Sequence, residues 1–355
     1  MSRDTKTKKQ PSVKKAKRVT IRDVAKKADV HISTVSRVLN PSQRKMVSDE
    51  VVERVQKIAK EMGYRANPFG YGLRTSKSNM LAVVIPDLAN PIFTPIVRGV
   101  EQVAQAAGYS VMFADTNESS ANENLIVERI LSRHLDGLIL ATAYRDSVEE
   151  TEKFLDNIPS VPTVLVNRIT NDQNHYSVSN DDFIGAKLAV EHLINLGHTR
   201  IAHLAGPQHL STGYQRKNGY LAALKDHGIS IDENLIISGD NFGFQDGQNG
   251  FQALHEGSGK FSAIFAANDF IALGCYKKMR EYQIDCPKDV SIVGYNDMPF
   301  ANMFHPALTT VKIDLRQMGV DSAKLLLNML DGKDSELESV ILKPNLVIRG
   351  STRAI

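Results

Sequence analysis

From Met80 onward, short apolar runs alternate with longer stretches of helical periodicity, and nothing else in the chain narrows its fold so far. Strands are expected at 81–85, 110–114, 137–141, 163–167, 201–205, 263–266, 290–294 and 346–348. Helices are expected between them at 92–107, 120–134, 182–197, 216–227, 245–255, 269–282 and 316–330. Such alternation specifies parallel sheets wound by right-handed crossovers. The strands are too many for one comfortable sheet, and the series restarts near Tyr176. The expected core is an α/β structure of two doubly wound parallel-sheet lobes, with a cleft where strand ends converge. Chain crossings near residues 178, 308 and 338 would join the lobes.

Residues 20–64 have a different character. Thr20 and Asp23 fit a capping box that starts a helix at Ile21. Asp29 falls in a turn where a left-handed backbone is expected, and a second helix spans 32–39. Ser48 is placed to cap a third helix whose Val51, Val55, Ile58, Ala59 and Met62 form an apolar stripe ending at Gly63. Val24, Val35 and Val38 complete a miniature core. Three helices in so few residues make a marginal all-α domain. The first two, with small polar side chains and one arginine, have the design of a helix-turn-helix that enters the DNA major groove.

The charge follows the same division. Residues 1–77 hold 20 Lys/Arg against 7 Asp/Glu, whereas 78–355 hold 23 against 33, so net charges of +13 and −10 hide behind an overall +3. One end seeks a polyanion and the remainder repels it, which points to nucleic acid or a membrane surface. A hydrophobic content of 42% excludes a mainly disordered chain. No apolar run approaches the roughly 20 residues that span a bilayer, and the basic, polar N-terminus has no signal-peptide core. Cys275 and Cys286 lack metal or CxxC spacing and read as structural thiols. A cytoplasmic location follows as an expectation.

Four regions result. Residues 1–19 are expected to be a disordered basic arm, with eight Lys/Arg and one acid among the first 18, either contacting DNA or simply solubilising. Residues 20–64 form the helix-turn-helix domain, 65–78 a Gly-containing polar linker, and 79–355 the two-lobed core.

The motifs resemble those of the LacI/GalR family of bacterial transcription regulators. The resemblance rests on Thr20 to Ala28 and Ser33 to Asn40, on Asn90-Pro91-Ile92-Phe93, Asp136-Gly137-Leu138-Ile139-Leu140 and Leu196-Gly197-His198-Thr199-Arg200, and on Ala267-Asn268-Asp269, Gly294-Tyr295-Asn296-Asp297 and Pro306-Ala307-Leu308-Thr309-Thr310. It implies a homodimeric repressor with a periplasmic-binding-protein-like core, a near-palindromic operator as partner, and a small-molecule effector between the lobes. Carried onto this chain, Ile32, Ser33 and Arg37 take base-reading positions. Arginine pairs bidentately with guanine, for roughly 1–3 kcal/mol of discrimination. Thr20, Thr34 and Ser36 are phosphate-contact candidates, the last two alternatively plain surface polarity, and Asn40 closes the DNA-contacting set. Asn67 and Leu73 match the hinge, Leu73 as a minor-groove wedge or an ordinary interdomain contact.

Two departures stand out. His31 replaces the usual Ser or Thr before the second helix, which implies a weaker cap or a phosphate contact that fades as the ring loses its proton. Gly70 and Tyr71 replace the usual Ala-Arg pair of the hinge.

For the effector, the resemblance implies Phe93 as a stacking ring and Arg216 as the group gripping hydroxyls or a carboxylate. Asn268, Asn296 and Asp297 lie at strand ends facing the cleft. Asp115 is a lining residue or a turn cap, and Arg168 a ligand contact or an interlobe ion pair. An aromatic ring with Arg, Asn and Asp suits a sugar, nucleoside or purine. No cofactor, metal set or catalytic motif is legible: Gly257-Ser258-Gly259-Lys260 is followed by Phe261 and lacks the upstream glycine of a phosphate loop. His192 and His198 read as groups at a helix end. A nonspecific DNA-binding protein is the alternative, and whether the ligand releases DNA or promotes its binding is open. No leucine heptads follow the last strand, so no coiled-coil tetramer is expected.

Overall fold

The computed structural model describes residues 19–39, 43–64, 78–141, 147–158, 161–170, 175–257, 260–333, 335 and 337–355. The chain divides into two compact units, Met1–Ser78 and Asn79–Ile355.

In the first unit, helices α1 (Ile21–Ala28), α2 (Ile32–Leu39) and α3 (Asp49–Glu61) surround Val24, Val35, Val38 and Val55, none with exposed surface. The capping box forms as expected: Thr20 Oγ1 accepts from the Asp23 N–H at 3.4 Å, and Asp23 Oδ2 accepts from the Thr20 N–H at 2.8 Å. Asp29 ends α1 in the left-handed region at φ 50°. Two details differ from expectation. Ser48 occupies the N-cap of α3 without a side-chain cap bond, and the acids Asp49 and Glu50 complement the helix terminus instead. Val52, outside the expected stripe, is buried with Val55 and Ala59, while Val51 packs half-buried against the same core. Neighbouring residues differ by about 100° around a helix, so the two valines reach the core from different sides and only Val52 is deeply buried.

The second unit holds two six-stranded sheets of the same order. In lobe 1, β1 (Met80–Ile85), β2 (Ser110–Asp115), β3 (Gly137–Leu140), β4 (Thr163–Val166), β5 (Tyr176–Asn180) and β11 (Val340–Leu342) are arranged β11-β5-β4-β3-β1-β2, all parallel. In lobe 2, β6 (Ile201–Ala205), β7 (Ile236–Ser238), β8 (Ala263–Ala266), β9 (Ser291–Asn296), β10 (Thr309–Lys312) and β12 (Asn345–Val347) are arranged β12-β10-β9-β8-β6-β7. Only β12 runs antiparallel, on the sheet edge, where a returning chain can add a strand without a crossover helix.

Both sheet faces are covered, which is why these strands read as unbroken apolar runs. Leu81, Val83 and Ile85 of β1 pack toward α4 (Phe93–Ala106) and α11 (Leu315–Leu330). Ala82 and Val84 pack the other way, toward α5 (Ser120–Leu131) and α6 (Val148–Asp156). Lobe 2 repeats the scheme with α7 (Asp182–Asn195) and α8 (Ser211–Asp226) on one face, and α9 (Phe244–Gly257) and α10 (Asp269–Glu281) on the other. Glycines let helix pairs touch backbone to backbone. A Cβ on Gly99 of α4 would strike the Arg316 carbonyl of α11, and one on Gly319 would strike that of Ile96.

The chain passes between lobes after Asn180, after Lys312 and after Leu342. The first and last passages are tied by the Asp181 N–H donating to the Leu342 carbonyl at 3.0 Å. Strands β5, β7, β10 and β11 and helix α6 have no counterpart in the expected elements. The strands are short or rich in Ser and Thr, and pairing with neighbouring strands rather than apolarity places them in the sheets; Thr309 and Thr310 are fully buried. Helix α8 starts at Ser211, ahead of the expected 216, and its first turn holds Gly213 against the Pro207 carbonyl, where a Cβ would clash.

Candidate DNA-reading face and effector cleft

Helix α2 turns Val35 and Val38 into the small core, which decides what it shows to solvent. Ile32, Ser33 and Arg37 are exposed, as is His31 just before them, while Thr34 and Ser36 are half-buried. Ile32 keeps 37% of its surface accessible, an apolar contact waiting for a partner. The His31 ring itself caps α2. Its Nδ1 accepts the Ser33 N–H at 3.3 Å and lies 2.8 Å from Ser33 Oγ. Imidazole Nδ1 stands at the same branch position as the amide oxygen of asparagine, a favoured N-cap residue. At the far end, Arg44 Nε donates to the Val38 carbonyl at 3.2 Å. Asn40, Asn67, Gly70, Tyr71 and Leu73 lie outside the described residues.

The carboxyl ends of the strands in each lobe face the cleft, as doubly wound sheets require. Arg216, on α8, is buried there. Its Nε donates to Asp182 Oδ1 at 2.8 Å, Nη1 donates to the Ala267 carbonyl at 2.7 Å, and its guanidinium lies 3.8 Å over the Tyr295 ring. Phe242 approaches the same guanidinium at 5.6 Å. Burial pushes the Asp182 carboxyl upward, against the pull of Arg216 and a hydrogen bond from Tyr295. The Tyr295 hydroxyl also accepts from Asn180 Nδ2 at 2.9 Å, so the Arg216 cluster reaches the first interlobe passage.

The other expected effector groups are distributed unevenly. Asn296 is buried at the end of β9 with φ 105°, and its Oδ1 has no partner. Asp297 pairs with Arg349 at 2.6 Å. Asn268 caps α10 through Oδ1, and its Nδ2 donates to the Phe242 carbonyl at 2.9 Å, so both ends of its amide are engaged. Asp115 accepts from the Asn117 N–H at 2.8 Å as a turn cap. Arg168 forms a two-bond pair with Glu118 at 2.8 and 2.7 Å; the ion pair lies within lobe 1, not across the cleft. Phe93 has no exposed surface and sits in the lobe 1 apolar cluster. That cluster also takes in Met298 and is flanked by Phe270 and Phe300, all three from lobe 2. Those rings, Phe242, Tyr295, Asp182 and Asn180 escape sequence reading as site residues; an acid at the start of an expected helix is the one available signal, and it applies to Asp182. His192 and His198 do not cap their helix: they bond Thr352 Oγ1 and the Arg353 carbonyl, holding the C-terminal segment.

Behind Asn296 sits Asp269, the first residue of α10. Its carboxylate accepts from Thr310 Oγ1 at 2.6 Å and from the Met298 N–H at 2.7 Å, so it anchors the turn that presents Asn296 and Asp297. Burial pushes its pKa up to about 7, over the opposing effect of these hydrogen bonds.

Comparison with known proteins adds the decisive observation. Residues 20–67 match the family described as "Bacterial regulatory proteins, lacI family", and residues 190–352 match a "Periplasmic binding protein-like domain". The chain is 33% identical over 340 residues to the HTH-type transcriptional repressor CytR of Escherichia coli K12, covering 95% of this chain and 97% of that protein. This chain belongs to the lacI family of bacterial regulatory proteins. The ribose operon repressor of Halalkalibacterium halodurans is also 33% identical, over 94% of this chain and 97% of its own length. Among solved structures, the lac repressor dimer bound to operator and the anti-inducer ONPF superposes with a TM-score of 0.84 at 29% identity, over 95% of this chain and 100% of that one. A CelR–cellobiose complex gives 0.72 at 30% identity, over 94% and 100%. The lacI-family architecture thus accounts for both units, a helix-turn-helix followed by a two-lobed α/β core.

In this lacI-family core, Asp269 gives a pH dependence of definite sign. An acid whose folded pKa lies above its unfolded value stabilises fully below the unfolded pKa, and that contribution is lost as pH rises through the folded value. Thermal unfolding of the wild type is therefore expected to lose roughly 2–3 kcal/mol between pH 5 and 8 from this group. Asp269→Asn, which mimics the protonated acid, should flatten that component of the profile. Parallel wild-type and variant profiles would show that Asp269 does not titrate in this range.

Proposed function

We propose that this chain is a homodimeric, cytoplasmic transcriptional repressor, without enzymatic activity, whose operator affinity is set by a neutral pentose, nucleoside or related polyol held between the lobes. In this reading residues 1–19 are a basic arm, 20–64 read the major groove of a near-palindromic operator, 65–78 are the hinge and 79–355 bind effector. Ile32, Ser33 and Arg37 address bases, and Thr20, Thr34, Ser36, Asn40, Asn67 and Leu73 complete the DNA-contacting set. Among Phe93, Asp115, Arg168, Arg216, Asn268, Asn296 and Asp297, the geometry favours Asn296, whose buried Oδ1 has no partner, for direct ligand contact, with Arg216 held behind it by Asp182.

One observation carries the effector class. The buried Oγ1 of Thr212, at the start of α8, and the Oδ1 atoms of Asn180 and Asn296, at the ends of β5 and β9, have no partner, nor has the Oγ1 of Thr170 in the segment after β4. Meanwhile the cations Arg216, Arg168 and Arg349 are each matched by a carboxylate. Unsatisfied neutral groups beside neutralised charges suit a ligand rich in hydroxyls and without net charge, since a buried unmatched charge is costly. The names of the ribose operon repressors among the relatives point the same way.

The test is thermal unfolding of the purified protein with ribose, cytidine, adenosine, hypoxanthine, cellobiose and ribose 5-phosphate. A neutral pentose or nucleoside at about 100 times its Kd stabilises by about 2.7 kcal/mol, a rise of several degrees. Operator binding with and without that ligand then gives the sign of the coupling. A response to ribose 5-phosphate alone would overturn the neutral class.

A further inference from the structure

We infer that His31 fixes Ser33 as a hydrogen-bond acceptor toward DNA, so that Ser33 selects an exocyclic amino group, adenine N6 or cytosine N4, at one base pair of each half-site. The inference deepens the reading of α2 as the DNA-reading helix and rests on it. Its ground is the donor logic of three atoms. The Ser33 backbone nitrogen can only donate, so at 3.3 Å the His31 Nδ1 must accept. That assignment places the ring proton on Nε2. Ser33 Oγ lies 2.8 Å from the same Nδ1, and between an unprotonated ring nitrogen and a hydroxyl only the hydroxyl can donate.

The Ser33 proton is therefore turned back onto the cap. Two oxygen lone pairs remain, and Ser33 is exposed beside Ile32 and Arg37 on the solvent side of α2. In the major groove, amino hydrogens are found on adenine N6 and cytosine N4, whereas guanine O6 and N7 and thymine O4 only accept. An acceptor-only serine can bond the first pair and not the second. A serine released from the histidine could rotate its proton and bond either. The imidazole thus acts on the DNA contact through Ser33 as a positioning residue. Its neutral Nε2–H, left over from the cap, is a donor that a phosphate oxygen can take without ring protonation.

The experiment uses the full-length chain. Operators are first selected from a random-sequence duplex pool. Each adenine in the selected half-site is then replaced by purine lacking N6, and each cytosine by 2-pyrimidinone lacking N4. At one position the deletion is expected to weaken wild-type binding about 3- to 10-fold per half-site, the span of one hydrogen bond. Ser33→Ala should show no further loss at that position. His31→Thr keeps a hydroxyl cap for α2 but frees the serine proton, and should lose the preference for amino over keto bases there while still binding the operator. A selected operator on which wild type tolerates every amino deletion overturns the inference. So does an amino preference that survives His31→Thr. If no sequence is selected at all, the regulator reading falls and takes this one with it.

Discussion

Arg216→Ala is expected to destabilise the core by about 3–5 kcal/mol, well before any effector is considered. The sequence resemblance treats this arginine as a ligand contact, whose loss should silence the effector response and leave the protein otherwise intact. The geometry changes that expectation. Asp182 is buried at the start of α7 and Arg216 Nε is its cation, at 2.8 Å. The same guanidinium holds the Ala267 carbonyl and covers the face of Tyr295. Alanine would leave a carboxylate in a dry site with only the Tyr295 hydroxyl to support it. Removing one partner of a buried pair costs far more than replacing both, so Arg216→Ala combined with Asp182→Asn should regain more than half of the lost stability. Thermal and urea unfolding of the single and double variants measure this directly. The folded double variant then becomes the proper instrument for ligand binding: if it still responds to the effector like wild type, Arg216 is structural only.

The same arginine shows where sequence reading stops. The capping box of Thr20 and Asp23, the left-handed Asp29 and the limits of α1 and α2 are local chemistry within a few neighbouring residues, so the order of side chains is enough to reveal them. So it is for the apolar central strands, because a doubly covered sheet leaves an unbroken hydrophobic signature. Asp182 and Arg216 are 34 residues apart and Asn180 and Tyr295 are 115 apart, so no periodicity links them. The return of α11 to lobe 1 depends on Gly99 and Gly319 meeting across more than two hundred residues. Within a helix pattern each of those glycines reads as a weak position, and only the partner's backbone reveals its purpose. Phe93, the aromatic ring after Asn90-Pro91-Ile92, lies wholly within an apolar cluster whose members come from both lobes, a setting that no local pattern reveals.

The two ends of the candidate mechanism also differ in how they are held. The effector cleft is built from groups already matched to each other, with only neutral atoms such as Asn296 Oδ1 left over. The face of α2 carries no such saturation: Ile32 and Arg37 stand exposed on a domain whose core is little more than five valines. A face of that kind gains its partners from DNA, which places sequence discrimination on few side chains.

Arg37→Ala is accordingly expected to remove roughly 1–3 kcal/mol of specific binding per half-site, and about twice that for a dimer on both half-sites. Arg37 is the single cation among the exposed residues of α2, and the nearby Arg44 is turned back to bond the Val38 carbonyl. A bidentate contact to guanine predicts a loss confined to the selected operator. Affinity for scrambled duplex should change little, and the slope of log affinity against log salt should stay nearly constant, because few counterions are released by a base contact. A phosphate contact predicts the reverse, a uniform loss on both DNAs and a salt slope smaller by about one. Fluorescence anisotropy of wild type and Arg37→Ala on operator and scrambled duplex, over a series of salt concentrations, separates the two. Equal losses on both duplexes would assign Arg37 to the backbone and leave Ile32 and Ser33 as the only base-reading side chains of α2.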